Sequence, residues 1–324
     1  MNNKEKIIKF CKDLGLDTIG VTSCRKLEEL DEYLINRKNM GVENEFEEKD
    51  IEKRINPGQY LEGGKSIISI AFPYLFKDNS KDGEVYFSKY TFGRDYHKVI
   101  SKYLKEICEY ITNLGGRSIY FVDSNALPER YIASFCGIGF IGKNNMIITE
   151  KYGSFVFLGE IITDLELEED ERISSKCGEC NLCLEACPTK SIKEEGDNPN
   201  VCLSYITQKK DIDDKWFPVL NGRIFGCDTC QTVCPYNKYI KKSNINDFLP
   251  FEFMENPQIE ELINLDNKSF KEKYGLTSCS WRGKNLLIRN AMINAFIKGK
   301  LNKNMIKDFT SPYLKDYYNR LFNR

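Results

Sequence analysis

The sequence predicts a multidomain α+β protein in three parts: an N-terminal α/β domain over residues 1–170, a small cysteine-dense domain over 171–245 and a helical segment over 246–324. Three observations carry this reading. Strand-like and helical apolar patterns alternate up to about residue 165. Eight of the 13 cysteines fall between residues 173 and 240. After Pro250 the apolar spacing is helical only.

The first helix is expected over 3–15, with Ile7, Ile8, Cys11 and Leu14 on one face. A short strand follows at 18–22 and a second helix at 26–38, placed by Leu27, Leu30 and Leu34. Residues 39–64 are polar, end in Pro57-Gly58 and Gly63-Gly64, and read as an irregular connection. The apolar run at 66–72 is a buried strand, and 77–84 a polar loop. A helix over 97–113 closes at Gly115-Gly116, followed by a strand at 118–122 and a helix over 128–136 with Pro128 in its first turn. Strands are expected at 146–149 and 154–162, and the acidic run 166–172 marks a boundary. The helical segment divides into 257–273, 284–298, 303–309 and 311–322.

Composition narrows the chemistry. His97 is the single histidine, so a zinc site built on several histidines is impossible. The apolar runs are too short to span a bilayer, and the N-terminus is a charged amphipathic segment without a signal-peptide core. A cytoplasmic protein with no membrane contact is therefore expected, and there 13 cysteines point to metal or redox chemistry rather than disulfides. The net charge of -1 hides an asymmetry: residues 271–324 hold 12 Lys/Arg against 3 Asp/Glu, a balance of +9, which leaves -10 for the rest. That asymmetry hints at an anionic partner for the C-terminal end.

Cys177, Cys180, Cys183 and Cys187-Pro188 spell C-x2-C-x2-C-x3-C-P, the ligand run of bacterial two-cluster ferredoxins. Three close thiolates hold three corners of one [4Fe–4S] cube, and the fourth cysteine turns to the other cube. A second run, Cys227, Cys230 and Cys234-Pro235, lacks its first member, because position 224 is isoleucine. Cys202, the remaining cysteine of the segment, supplies the eighth thiolate. One cluster is then expected on Cys177, Cys180, Cys183 and Cys234, the other on Cys187, Cys202, Cys227 and Cys230. Paired zinc knuckles are the alternative, since C-x2-C also suits zinc. Cys11, Cys24, Cys108, Cys136 and Cys279 read mostly as small buried hydrophobes.

Gly137, Gly139 and Gly142 match G-x-G-x-x-G, but a helical segment precedes them and a strand follows, the reverse of a dinucleotide site. A tight turn is the expectation, with close approach to some other flat ligand as a further reading.

The segments FGRDYHK at 92–98, VDS at 122–124, LPER at 127–130, GIGFIGKNNMII at 137–148, FLGEI at 157–161, CGECNLCLEACPTKSI at 177–192, CLSYIT at 202–207 and FGCDTCQTVCPYN at 225–237 resemble, in order and spacing, the epoxyqueuosine reductase family. The resemblance spans residues 1–300 or so. It implies a cobalamin-dependent oxidoreductase that reduces the epoxide of epoxyqueuosine, at the tRNA wobble position, to queuosine. Its N-terminal domain would hold the corrinoid, the two-cluster domain would pass electrons from an external low-potential donor, and C-terminal HEAT-like helices would help hold tRNA. Side chains lack such reducing power, so a cofactor must supply it. Asp123 matches the family's proton donor and stands at the end of a strand. A donor carboxyl needs a raised pKa, which burial could supply. Helix capping is the alternative role for Asp123 or Ser124. Arg54, Arg94, Tyr96, Lys143, Ser204 and Thr207 are candidate corrinoid contacts, together with Asp123. His97 is expected to be structural, and QKKD from 208 departs from the family pattern.

Arg282, Lys284 and Arg289 are the candidate tRNA-binding residues, in a stretch that also holds Lys271, Lys273 and Trp281. Trp281 itself is expected in the core. Two other functions share parts of this pattern. A reductive dehalogenase uses a corrinoid with two cubanes, and the missing twin-arginine signal and basic C-terminus speak against it. A ferredoxin-type electron carrier explains the cysteines but leaves 170 N-terminal residues without a task.

Overall fold

The computed structural model describes residues 1–77, 85–194, 196–301 and 309–322. Its N-terminal part is organised by one four-stranded sheet, in the spatial order Ile19–Ser23, Ser66–Pro73, Val156–Thr163, Ser118–Phe121. Every neighbouring pair runs antiparallel. The α/β expectation is corrected on this point: alternation of helix and strand along the chain orders the elements but leaves strand direction open.

Alternate side chains of the central strand enter two cores. Ile68, Ile70 and Phe72 pack with Ile7 and Cys11 of the helix Asn3–Asp13 and with Val99, Ile100 and Leu104 of the helix Tyr96–Asn113. Ile67 and Ala71 pack on the opposite face with Leu34 of the helix Asp31–Asn39 and Ile132 of the helix Glu129–Phe135. Helices thus cover both faces, which is why all eight residues of Ser66–Pro73 are buried and the strand reads as a continuous apolar run. Ser118–Phe121 is an edge strand, with Ile119 and Tyr120 exposed.

Most expected elements form within one or two residues of their places. Residues 39–64 are more ordered than expected: Asp50 caps the helix Ile51–Ile55, and Pro57 opens a single 3-10 turn. The expected helix 257–273 is two helices, Ile259–Ile263 and Asn267–Glu272. The break falls where Asp266 caps the second helix by accepting the Ser269 N–H. The glycine motif forms a tight turn into the antiparallel pair Phe140–Ile141 and Ile147–Ile148, and the helix Glu129–Phe135 precedes it. The loop expected at 77–84 and the helix expected at 303–309 lie almost wholly outside the described residues.

Tyr86–Phe87 pairs in parallel with Arg223–Phe225. Val85 and Phe87 therefore share a core with Leu203, Phe217, Phe225 and the helices Lys284–Ile297 and Pro312–Phe322. Among the described residues, no helix is long and apolar enough to cross a membrane.

Candidate functional site

Asp123 lies two residues beyond the edge strand, in a left-handed backbone conformation with φ of 49°. A non-glycine residue there is strained, and Asp and Asn tolerate it best. Three groups hold it. The Tyr96 hydroxyl donates to Oδ2, and His97 Nε2 lies 3.1 Å from the same oxygen. The Asp123 N–H donates to Glu129 Oε1 at 2.6 Å, an oxygen that also accepts the Asn125 amide at 2.7 Å. Tyr96 and His97 occupy the first turn of their helix because Asp95 caps it by accepting the His97 N–H. The Tyr96 ring is stacked between His97 and Phe157, with centroids 4.1 and 4.2 Å away.

The electrostatics differ from the sequence expectation. Burial would push the Asp123 carboxyl up, but the bonds from His97 and Tyr96 and the charge on His97 outweigh it, so its pKa lies below the ordinary value. Burial would lower His97, yet its bonds to Asp123 and Asp95 raise it to about 9. At neutral pH the proton therefore resides on the imidazole, and Asp123 is a carboxylate. Behind this pair, burial and then the Asp123 charge raise Glu129. Glu160 is fully buried beneath, desolvation raises its pKa, and the Ser69 hydroxyl donates to it at 3.1 Å. The side chain of Asp123 is still 55% exposed, open to a ligand. His97, expected to be structural, is part of this site. Its signal in the sequence is its place beside Tyr96 in FGRDYHK.

The eight cysteines of the middle segment lie near one another. Cys177, Cys180, Cys183 and Cys234 line one recess, together with Leu182, Pro235 and Tyr236. Cys202 is near enough to Cys187 and Cys227 to feel their charge, and Cys230 feels Cys202, Cys227 and, across the two expected sets, Cys183. Donors already face several sulfurs: the Lys143 N–H points at Cys177 Sγ at 3.4 Å, the Ser191 N–H at Cys187 at 3.3 Å and Arg223 Nε at Cys227 at 3.2 Å. Such bonds stabilise thiolates, so the donor chemistry of both expected sets fits clustered thiolate–metal bonding. Cys11, Cys136 and Cys279 are buried, and burial pushes their thiols up.

The other expected contacts are placed unevenly. Lys143 lines both the cysteine recess and an open recess of about 430 Å³ bordered by Tyr33, Tyr131, Lys193 and Asp197. Arg94 is exposed and 3.3 Å from Asp247. Ser204 is half-buried, one turn from Thr207. Arg54 is 14% exposed and tied to Glu47 at 3.5 Å and Glu43 at 3.9 Å. Thr207 is a correction: it is fully buried, and its hydroxyl donates to the Ser204 carbonyl and accepts the Gly226 N–H. Both of its hydrogen-bonding roles are taken up within the fold.

Two corrections concern the basic end. Arg289 is completely buried, donating to the carbonyls of Lys209, Lys210 and Thr207, so it is withdrawn from the anionic surface. Trp281, expected in the core, is 55% exposed. Arg282 and Lys284 are half-buried.

Residues 54–124 match the family described as Epoxyqueuosine reductase QueG, DUF1730, and residues 176–237 match a 4Fe-4S double cluster binding domain. An epoxyqueuosine reductase of Lactococcus garvieae is 37% identical over 97% of this chain and 92% of its own length. The crystal structure of an epoxyqueuosine reductase with an epoxyqueuosine-modified tRNA-Tyr stem loop superposes with a TM-score of 0.90, at 36% identity over 97% of this chain and 88% of that one. The Bacillus subtilis epoxyqueuosine reductase, in a structure whose catalytic aspartate loop is swung out of the active site, gives 0.89 at 33% identity, with the same coverage of both chains.

Proposed function

The chain belongs to the epoxyqueuosine reductase family, and from that premise we propose that it reduces epoxyqueuosine in the tRNA anticodon to queuosine. The observation that carries this reading is Asp123, held by Tyr96 and His97 at the end of the edge strand in an otherwise open site. Opening an epoxide leaves an oxygen that needs a proton as its charge develops. His97 holds that proton 3.1 Å from Asp123 Oδ2. Asp123 takes it from His97 and presents it to the departing oxygen, while Asp95 keeps the imidazole oriented through Nδ1 at 2.8 Å. Tyr96 fixes the second donor to the carboxylate and closes its inner side. The wobble nucleotide leaves its stack to present its epoxide to this group.

Two [4Fe–4S] clusters and a cobalamin would supply the reducing electrons and the nucleophilic metal. Cys177, Cys180, Cys183 and Cys234 would hold one cluster, and Cys187, Cys202, Cys227 and Cys230 the other. The shared recess of the first set and the donors aimed at the sulfurs support this division. For the corrinoid, Tyr96, Lys143, Ser204 and Arg94 remain candidate contacts. Arg54 would first have to leave its carboxylates. The open recess beside Lys143 is within the ligand-pocket range. An external low-potential electron donor and a cytoplasmic setting complete the reading.

We keep the functional division at 170 and 245 as part of this proposal, although the pairing of Tyr86–Phe87 with Arg223–Phe225 crosses it. A HEAT-like arrangement of the C-terminal helices is supported by their direction. Asn285 meets Ser311 at 3.2 Å and Phe296 meets Phe322 at 5.5 Å, so Lys284–Ile297 and Pro312–Phe322 run side by side the same way. Successive repeats place equivalent helices in that manner. The test is Asp123→Asn, which keeps the left-handed turn. Cluster and cobalamin content are expected to match the parent while turnover of epoxyqueuosine tRNA falls by about 100-fold or more. Full turnover in this variant refutes the role.

A further inference from the structure

Three segments far apart in sequence build one aromatic and cationic surface. Phe46, from the 39–50 connection, is 41% exposed and meets the Trp281 ring edge-on, with centroids 5.1 Å apart. Phe46 also meets the buried Tyr205 ring at 5.2 Å. The Arg282 guanidinium lies 4.8 Å from the Trp281 centroid and 5.3 Å from that of Phe46. Gln208 locks the assembly: its carbonyl accepts Arg282 Nε at 2.7 Å and its side-chain oxygen accepts Trp281 Nε1 at 3.2 Å. The indole N–H is thereby satisfied, and its ring is left largely in solvent. A large aromatic ring held rigid and exposed loses the benefit of burial unless something stacks on it.

We infer that Trp281, with Phe46 and Arg282, is a stacking platform for an unpaired base of the tRNA anticodon loop next to the modified nucleotide. This rests on the tRNA-modifying reading above. Position and charge favour this occupant. Gln208 Nε2 reaches the Tyr90 hydroxyl at 3.4 Å, and Tyr90 packs on the same core as Tyr96, which holds Asp123, so packed side chains connect the platform to the reaction site. Lys209 and Lys210 follow Gln208 directly, with Lys209 Nζ 5.9 Å from the Tyr205 centroid, and Lys284 opens the next helix, so cations for the flanking phosphates stand on the same segments as the rings. Base–aromatic stacking tolerates any base, and a guanidinium fixed beside the indole adds a cation to the same face.

The test is fluorescence anisotropy of a labelled anticodon stem-loop RNA with the holoenzyme, titrated against salt. Trp281→Ala is expected to weaken binding about 5- to 100-fold with an unchanged salt slope, because stacking releases no counterions. Trp281→Phe is expected to restore most of the affinity. Lys284→Gln is expected to flatten the slope by about 0.7–0.9. Parent-like affinity in Trp281→Ala overturns the platform and leaves the enzymatic reading intact. Failure of the parent protein to bind the stem-loop overturns both. Loss of hydroxocobalamin uptake in Trp281→Ala, followed by absorbance, with RNA affinity unchanged, assigns the indole to the corrinoid and overturns the platform.

Discussion

Arg289→Met removes a cation from the centre of the helix Lys284–Ile297 while keeping most of the aliphatic stem. Its guanidinium donates to the Lys209 carbonyl at 2.7 Å, the Lys210 carbonyl at 2.8 Å, the Thr207 carbonyl at 3.2 Å and Asn290 Oδ1 at 2.9 Å. The Thr207 carbonyl keeps a second donor, Asn290 Nδ2 at 2.8 Å. The Lys210 carbonyl likewise keeps the Tyr313 hydroxyl at 2.7 Å, whereas the Lys209 carbonyl and Asn290 Oδ1 lose their donor, each at about 1–3 kcal/mol. The guanidinium also lies 5.4 Å from the fully buried Tyr317 ring, a contact of about 1 kcal/mol. The expected loss is about 3–5 kcal/mol, read as a lower urea midpoint at constant m. The released turn 207–210 carries Gln208 and with it Trp281 and Arg282, so RNA affinity is expected to fall while its salt slope stays constant. A loss below about 1 kcal/mol accompanied by a flatter salt slope would show that Arg289 contacts phosphate and would refute the reasoning.

Cys202→Ala is expected to remove one cluster and leave the other, so bound iron falls by about half and the remaining cluster keeps its absorbance. Loss of all iron, or none, contradicts the division of ligands. His97 is raised from 6.5 to about 9 in the folded chain. Its contribution to stability is therefore full below pH 6.5 and disappears as pH rises through 9. Melting of His97→Asn against the parent across this range is expected to show a gap that closes at alkaline pH, and a constant gap contradicts the ion pairs. In activity, the same titration places an alkaline limb near pH 9 in the parent, absent from the variant.

Much of the fold is legible in the chain because its signals are local. The run Ser66–Pro73 announces a strand covered on both faces, and Asp95 before Tyr96–Asn113 announces a capped helix. The cysteine spacing predicts a division of the eight thiolates, because the two short intervals joining Cys177, Cys180 and Cys183 reach one cube while Cys187 turns to the other. Strand direction in the sheet was not legible, since a run of apolar residues has no sense of parallel or antiparallel. The candidate site was half legible. Asp123 and Tyr96 stand in motifs, but the protonation of His97 depends on two carboxylates, one of them 26 residues away.

The basic C-terminal end shows the division most clearly. The sequence by itself determined that +9 of charge resides in the last 54 residues, because charge follows from composition alone. Only the tertiary structure decided which cations face solvent. Arg289 and Arg282 are seven residues apart and chemically identical. One is enclosed by carbonyls of residues 207–210, and the other lies beside an exposed indole. Desolvation and hydrogen bonding are set by whichever distant segments pack around a side chain, and that packing is a property of the folded whole.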